Sequence, residues 1–554
     1  MTSMEAARAR LVGRWGGADG YASAVLAAAV DATLLGVRGP LPVEYLRAAA
    51  PGYCTAPELA DARAGWFDAA LAGVTGPLDG HGSALIPAAA DDGGYAVTSE
   101  VVPAASARLE HRLVPAGTWV ALAETVTDPA DAAKVGHAAG LRALYGVADV
   151  LLRQAIGAGN KSAVWQLVLL LKERADLVGL RELASAGHDS AMHQLAELLG
   201  RRGDVAGLRD LIEAGGSYVG AVLTSELTGR GDEAALREMA DAGNPTYSRA
   251  AAWELTRLRV QRLAEAGEES GLRELAGGEH IGNDLAVVEL VRLLMERGDE
   301  TGLRELVQAG SLDAARALPW LLAKRGDEST LRELVDAGDP TAEAAAALPW
   351  LLAERDDDAA LRDLAEAGSF DAAVTLPRLL ARRGDETGMR ELLNPGIAGR
   401  HKETAKDEAA AQLALRLADR GDEVALRTLI DEHGHGTSEL AGLLADRGDE
   451  AALRELADEH GHGTSELARL LAERGDEEGL RELADAGYVA GSHSLGDMLA
   501  QRRDEAGLRQ LALTGHHHPN RLHFLLASFN PVAAERFRQH GLTPDGEIAD
   551  VPPT

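Results

Sequence analysis

One tetrad, Leu-Arg-(Glu/Asp)-Leu with close variants, returns twelve times along this chain. Its leading residue is Leu180, Leu208, Leu236, Leu272, Leu303, Leu331, Leu361, Met389, Leu426, Leu453, Leu480 and Leu508. Most successive gaps lie between 27 and 31 residues, and Leu152 sits 28 residues ahead of Leu180 as a worn further copy. A sustained period of this length is the signature of a solenoid, in which each repeat is one small supersecondary unit.

The copy from Gly326 to Arg355 shows what the unit is. Asp327 is an N-cap residue, Glu328 adds negative charge to the first helical turn, and Leu331, Leu334 and Val335 recur at helical spacing. Gly338 then ends this first helix (helix A) as a left-handed residue. A second helix (helix B) is expected from near Pro340-Thr341, with Ala344, Ala347, Leu348, Leu351 and Leu352 inward and Arg355 in its last turn. A helix of about ten residues is marginal alone in water, so each hairpin must bury its apolar face on its neighbours. The predicted fold is all-α: an α-solenoid of about thirteen such hairpins, a superhelix of the TPR or HEAT kind.

Composition narrows the function. Of 554 residues 87 are acidic and 55 basic, a formal net charge of −32, which repels a phosphate backbone and argues against nucleic acid. No uninterrupted apolar run approaches the ~20 residues of a membrane span. The single cysteine, Cys54, cannot make an internal disulfide, and the start Met1-Thr2-Ser3-Met4-Glu5 lacks a secretory signature, so a cytoplasmic location is expected.

Residues 1–146 lack the repeat. Helical patterns cover 4–14, 20–36, 43–50 and 56–75, and Ser83–Ile86 and Tyr95–Thr98 flank Asp91-Asp92-Gly93-Gly94 like the arms of a hairpin. Helices followed by a hairpin suggest a winged-helix-like module. The solenoid is then expected over 147–393, a loop or joint at 394–403, its second part over 404–515, capping helices at 516–543 and a flexible tail at 544–554.

Two stretches carry a resemblance. Gly36-Val37-Arg38-Gly39-Pro40-Leu41-Pro42, Leu46 to Tyr53, Trp66-Phe67-Asp68-Ala69-Ala70-Leu71, Ser83 to Pro87 and Gly94-Tyr95 resemble the helical segment behind the NTPase module of bacterial STAND-type signal-transduction ATPases. In those proteins helical repeats of the Arg-Gly-Asp-Glu-x-x-Leu-Arg-Glu-Leu kind commonly follow, as they do here from Arg202. The resemblance is to the regulatory and sensing portion. It implies ligand or partner sensing, in defence or transcriptional signalling, and a bacterial source. The phosphate-cradling Gly-x-x-x-x-Gly-Lys-(Ser/Thr) is absent, and the nearest string, Gly157-Ala158-Gly159-Asn160-Lys161-Ser162, reads as a turn.

Other motifs weigh toward plain structure. Arg-Gly-Asp occurs at Arg202, Arg230, Arg297, Arg325, Arg383, Arg420, Arg447 and Arg474, where helix-end chemistry explains arginine, glycine and aspartate in turn. His433, His435, His460 and His462 could meet on one edge and bridge a metal, but stacking near 10 Å exceeds the reach of ~2 Å Zn–N bonds unless the side chains lean together. His516-His517-His518 is weaker still, and Cys54 reads as a small buried apolar group.

The sharpest local signal lies in helix B. The position held by Glu197, Ser225, Arg292, Arg469 and Asp497 is polar in those copies, whereas Trp320 and Trp350 hold it in two consecutive ones. Each follows a proline, Pro319 or Pro349, and the next copy has Pro377-Arg378. Two indoles beside an arginine have the composition of a binding hot spot. Trp320, Trp350 and Arg378 are therefore the candidate partner-binding residues, and no catalytic residue, cofactor or metal ligand is assigned. The expected function is a non-catalytic scaffold or sensor that binds a protein or peptide, with the acidic surface attracting a basic partner. Two alternatives stand beside it. One is an enzyme or metal-dependent protein with its site in the N-terminal module or the histidine tandem; the other is the sensor subunit of a split ATPase whose NTPase or effector is a separate chain.

Overall fold

The computed structural model describes residues 20–76, 83–88, 93–98 and 113–549, apart from 217–218, 245–246, 279–280, 340, 395 and 516–517. The helix expected over 4–14, His516 and His517 lie outside the described residues. The described chain is a helical-repeat solenoid, with one two-stranded hairpin, Leu85–Pro87 against Tyr95–Val97, as its only sheet among those residues. It forms two compact units, residues 1–219 with 468–554, and residues 220–467.

The repeat unit is legible in the copy from Gly326 to Arg355. Asp327 accepts the Thr330 amide at 3.1 Å and caps the helix Glu328–Asp336; hydrogen bonds from the Thr330 hydroxyl and amide hold its carboxyl below the usual range. Gly338 follows with φ 74°. Helix B begins at Glu343, later than expected, because Asp339 takes over the turn by accepting from Thr341 and Ala344, each at 3.0 Å. Leu331, Ala344, Ala347, Leu348, Leu351 and Leu352 are buried, while Leu334 and Val335 are half-buried. All eight Arg-Gly-Asp aspartates cap a helix, and all eight glycines have positive φ.

The arginine at this helix end, in Arg-Gly-Asp or in the variants Arg355-Asp356-Asp357 and Arg502-Arg503-Asp504, does more than serve its own helix. In the second unit Arg355 reaches back to the preceding turn, donating to Glu328 at 2.5 Å and to the Gly326 carbonyl at 2.7 Å. Arg297 does the same to Glu269 and Gly267, Arg325 to Glu300 and Gly298, and Arg447 to Glu423 and Gly421. Within the first unit Arg502 repeats the contact to Glu477 and Gly475. The same glutamate also holds the arginine of its own tetrad, as Glu328 holds Arg332 at 2.8 Å and Glu300 holds Arg304 at 2.8 Å. Arg-Gly-Asp-Glu is thus a turn-to-turn clasp as well as a cap.

In the first unit the segment ahead of the repeats packs the helix Gly20–Leu34 around Tyr45, whose buried hydroxyl donates to the Ala28 carbonyl at 2.8 Å. Buried Asp31 accepts the Tyr53 hydroxyl at 2.6 Å, and Thr118 donates to Tyr53 at 3.0 Å. Leu41 bridges to Tyr95, so the hairpin is tied to the chain ahead of the helix Val43–Ala49. The last hairpin of the chain also belongs to this unit. Phe537 lies 6.5 Å from Tyr145, Leu542 donates its amide to Ala143 at 2.7 Å, and Arg174 donates to the Gln539 carbonyl at 2.9 Å. Within this unit the last hairpin therefore packs on the start of the repeats. Gly541, at φ 72°, permits the approach, since a Cβ there would stand 2.2 Å from the Ala143 carbonyl oxygen.

Three outcomes are expected. Leu331→Ala should cost about 2–5 kcal/mol in urea unfolding, because it empties a fully buried site. Arg355→Ala should cost at most about 1 kcal/mol, because its ion pair is half in solvent. Gly541→Ala should release the Leu542 amide to fast hydrogen exchange while protection of the helix Glu328–Asp336 stays unchanged.

Candidate functional site

The candidate residues lie on consecutive helices B of the second unit: Leu312–Arg325, Glu343–Glu354 and Phe370–Arg383. Each carries its proline inside the helix, at Pro319, Pro349 and Pro377, and all three prolines are buried. A proline there lacks the amide that would bond the preceding turn, and with its ring on the packed side the next residue falls on a more exposed position.

That next residue is Trp320, Trp350 or Arg378. The two indoles come together, their ring centroids 6.3 Å apart and their planes at 67°, an edge-to-face pair. Trp320 is half-buried and donates Nε1 to Glu343 Oε2 at 2.8 Å, so it leans across to the following hairpin rather than folding over its own. Trp350 stays 39% exposed. Arg378 is not part of the aromatic pair. Its guanidinium donates to Glu408 at 2.8 and 3.4 Å, and this hydrogen bonding raises its pKa.

Glu343 acts on a second carboxylate. Asp371 stands near the start of the helix that bears Arg378, and burial, with the charge of Glu343, raises its pKa. Beside it Phe370 is exposed and meets the His401 ring edge-to-face at 5.4 Å. Phe370, Glu343 and Asp371 were not singled out from the sequence. The signal that could have found them was the spacing between the Pro-Trp dipeptide and the acidic residue opening the next helix B.

The other motifs are placed as follows. Asn160 caps the helix Lys161–Glu173, accepting from the Ser162 and Ala163 amides that a phosphate would need. His435 faces Asp407 at 3.5 Å and His433 faces Glu432 at 3.8 Å. Among the described residues no group of three or more His, Cys, Asp or Glu side chains is arranged to hold a metal. Cys54 is half-buried, and burial raises its thiol pKa. A recess of about 160 Å³ in the first unit, lined by Arg481, Asp485, Leu495 and Gln510 among others, is below the ~300 Å³ of an ordinary ligand pocket. No described helix is long and apolar enough to cross a membrane.

Fold and site together define a helical-repeat protein with an aromatic and acidic surface on one helix layer. No family model matches the chain, and no curated protein matches it in sequence. Among solved structures, the crystal structure of the pentatricopeptide repeat protein PPR10 from maize aligns with 91% of this chain and 76% of that chain, at 15% identity and a TM-score of 0.33.

Trp320→Phe keeps an aromatic ring, smaller than indole, and removes the donor to Glu343. It should lower stability by about 1 kcal/mol in urea unfolding, the worth of one half-exposed hydrogen bond to a charged acceptor.

Proposed function

We propose that this chain is a scaffold or sensor that binds a protein or peptide through the surface formed by Trp320 and Trp350, with Arg378 at its edge, and that it performs no catalysis of its own. The observation that carries this reading is the outward tryptophan pair at a helical position that is polar in five other copies. An exposed indole is unfavourable in water, and aromatic residues beside arginine are the usual anchors of protein interfaces. Arg378 would contribute by exchanging its bond to Glu408 for a carboxylate of the partner. The formal charge of −32 favours a protein over a nucleic acid and speeds encounter with a basic surface.

The wider setting follows from the resemblance to STAND-type ATPases. On that reading residues 1–146 form a winged-helix-like module, the repeats sense, and a separate NTPase or effector chain acts, in bacterial signalling or defence in the cytoplasm. The helices, the Leu41–Tyr95 bridge and the hairpin follow one another in an order compatible with such a module.

The test is affinity capture from the source cell with cross-linking and mass spectrometry. Trp320→Ala combined with Trp350→Ala should lose the principal captured protein, whereas Phe524→Ala, an exposed aromatic in the first unit, should keep it. Helical circular dichroism of both variants should match the parent. Retention of the partner by the double variant would retire the site.

A further inference from the structure

Helices B of the second unit repeat one arrangement in three steps. In two of these steps the residue after the helical proline donates to a glutamate on the next helix B. Trp320 donates to Glu343 at 2.8 Å, and Arg378 donates to Glu408 at 2.8 Å. Trp350 is the step between them. Glu343 lies seven residues ahead of Trp350, and Asp371 lies seven residues ahead of Arg378. Asp371 therefore holds in its helix the place that Glu343 holds in the preceding one, and the repeat register sets it opposite Trp350.

This middle step is left incomplete. Aspartate is one methylene shorter than glutamate, and Trp350 makes no side-chain hydrogen bond among the described residues. No side chain among those residues donates to Asp371 either; its carboxyl takes a hydrogen bond only from its own backbone amide, and the charge that acts on it is another carboxylate, Glu343. A partly buried carboxylate without a cation is costly, and an indole face open to solvent attracts one. The adjoining step, where Arg378 meets Glu408, shows which group satisfies the arrangement when the chain supplies it itself.

We propose that the step formed by Trp350 and Asp371 receives an arginine side chain from a basic segment of the partner, its guanidinium lying on the indole and pairing with Asp371. Guanidinium suits the place better than ammonium, because a planar cation can stack on an aromatic face while its edge meets a carboxylate. The net charge of −32 supplies the complementary long-range field. This inference rests on reading the tryptophan pair as the partner site and adds what the partner must present there.

The probe is a short unstructured peptide alternating arginine with Gly-Ser, compared with its citrulline counterpart and with single-stranded RNA of matched length. The full chain carries 5-fluorotryptophan at its seven tryptophans, with the Trp350 signal assigned through Trp350→Phe. The arginine peptide should move the Trp350 fluorine signal and bind about tenfold more tightly than the citrulline peptide. Asp371→Asn should weaken it about tenfold, while Glu455→Gln, which removes one exposed carboxylate elsewhere on the unit, should weaken it less than about twofold. Equal weakening by the two variants, an unmoved Trp350 signal, or a shift caused by RNA and not by peptide would overturn the inference. If the arginine peptide fails while the double tryptophan variant still loses its native partner, the arginine chemistry falls and the partner-site reading stands.

Discussion

Every feature of this chain depends on one shortage: a hairpin of two short helices has more apolar surface than it can cover. Leu331 is fully buried in a helix of nine residues because the helix B on either side of it closes over that face. The backbone of such a helix would gain little by itself, so its stability is borrowed from stacking. The clasp formed by Arg355 on Glu328 and the Gly326 carbonyl fixes the height and rotation at which successive hairpins meet. Each ion pair is half in solvent and individually weak. Its value lies in recurrence, since the same geometry at Arg297, Arg325 and Arg447 holds the register constant.

A constant register allows a surface to be written one residue per repeat. At Trp320 and Arg378 the residue after the helical proline bonds a glutamate of the next helix B, so a change at that position alters a surface step without disturbing the core. Pro319, Pro349 and Pro377 stay buried, while the residues that follow them differ. Trp320 closes its step with an indole hydrogen bond, Arg378 with a guanidinium, and Trp350 leaves its step open to solvent.

The hairpins were legible in the sequence because their signals are local. Asp327, Gly338 and the i, i+3, i+4 leucines act within one or two turns, and a single copy is enough to read them. The two roles of the motif arginine were not, because Arg355 and Glu328 are 27 residues apart and only stacking brings them together. Trp320 and Trp350 could be singled out by comparing copies, yet the bond from Trp320 to Glu343 needed the angle between neighbouring helices. Arg378 shares the indoles' place in the repeat, yet its contact with Glu408 shows that equivalent positions engage their polar groups differently. Least legible was the meeting of the last hairpin with the first repeat, which joins Arg174 to Gln539 across 365 residues.

That meeting changes what the ends of the array are. A terminal hairpin normally needs a polar outer face, because nothing covers it. Phe537 and Tyr145 are instead buried against each other, and Arg538 returns a bond to the Arg174 carbonyl at 3.0 Å. Glu173, on the same helix, has its pKa raised by burial, opposed by His518 at 3.1 Å. The first and last repeats of the first unit thus stabilise each other as internal repeats do.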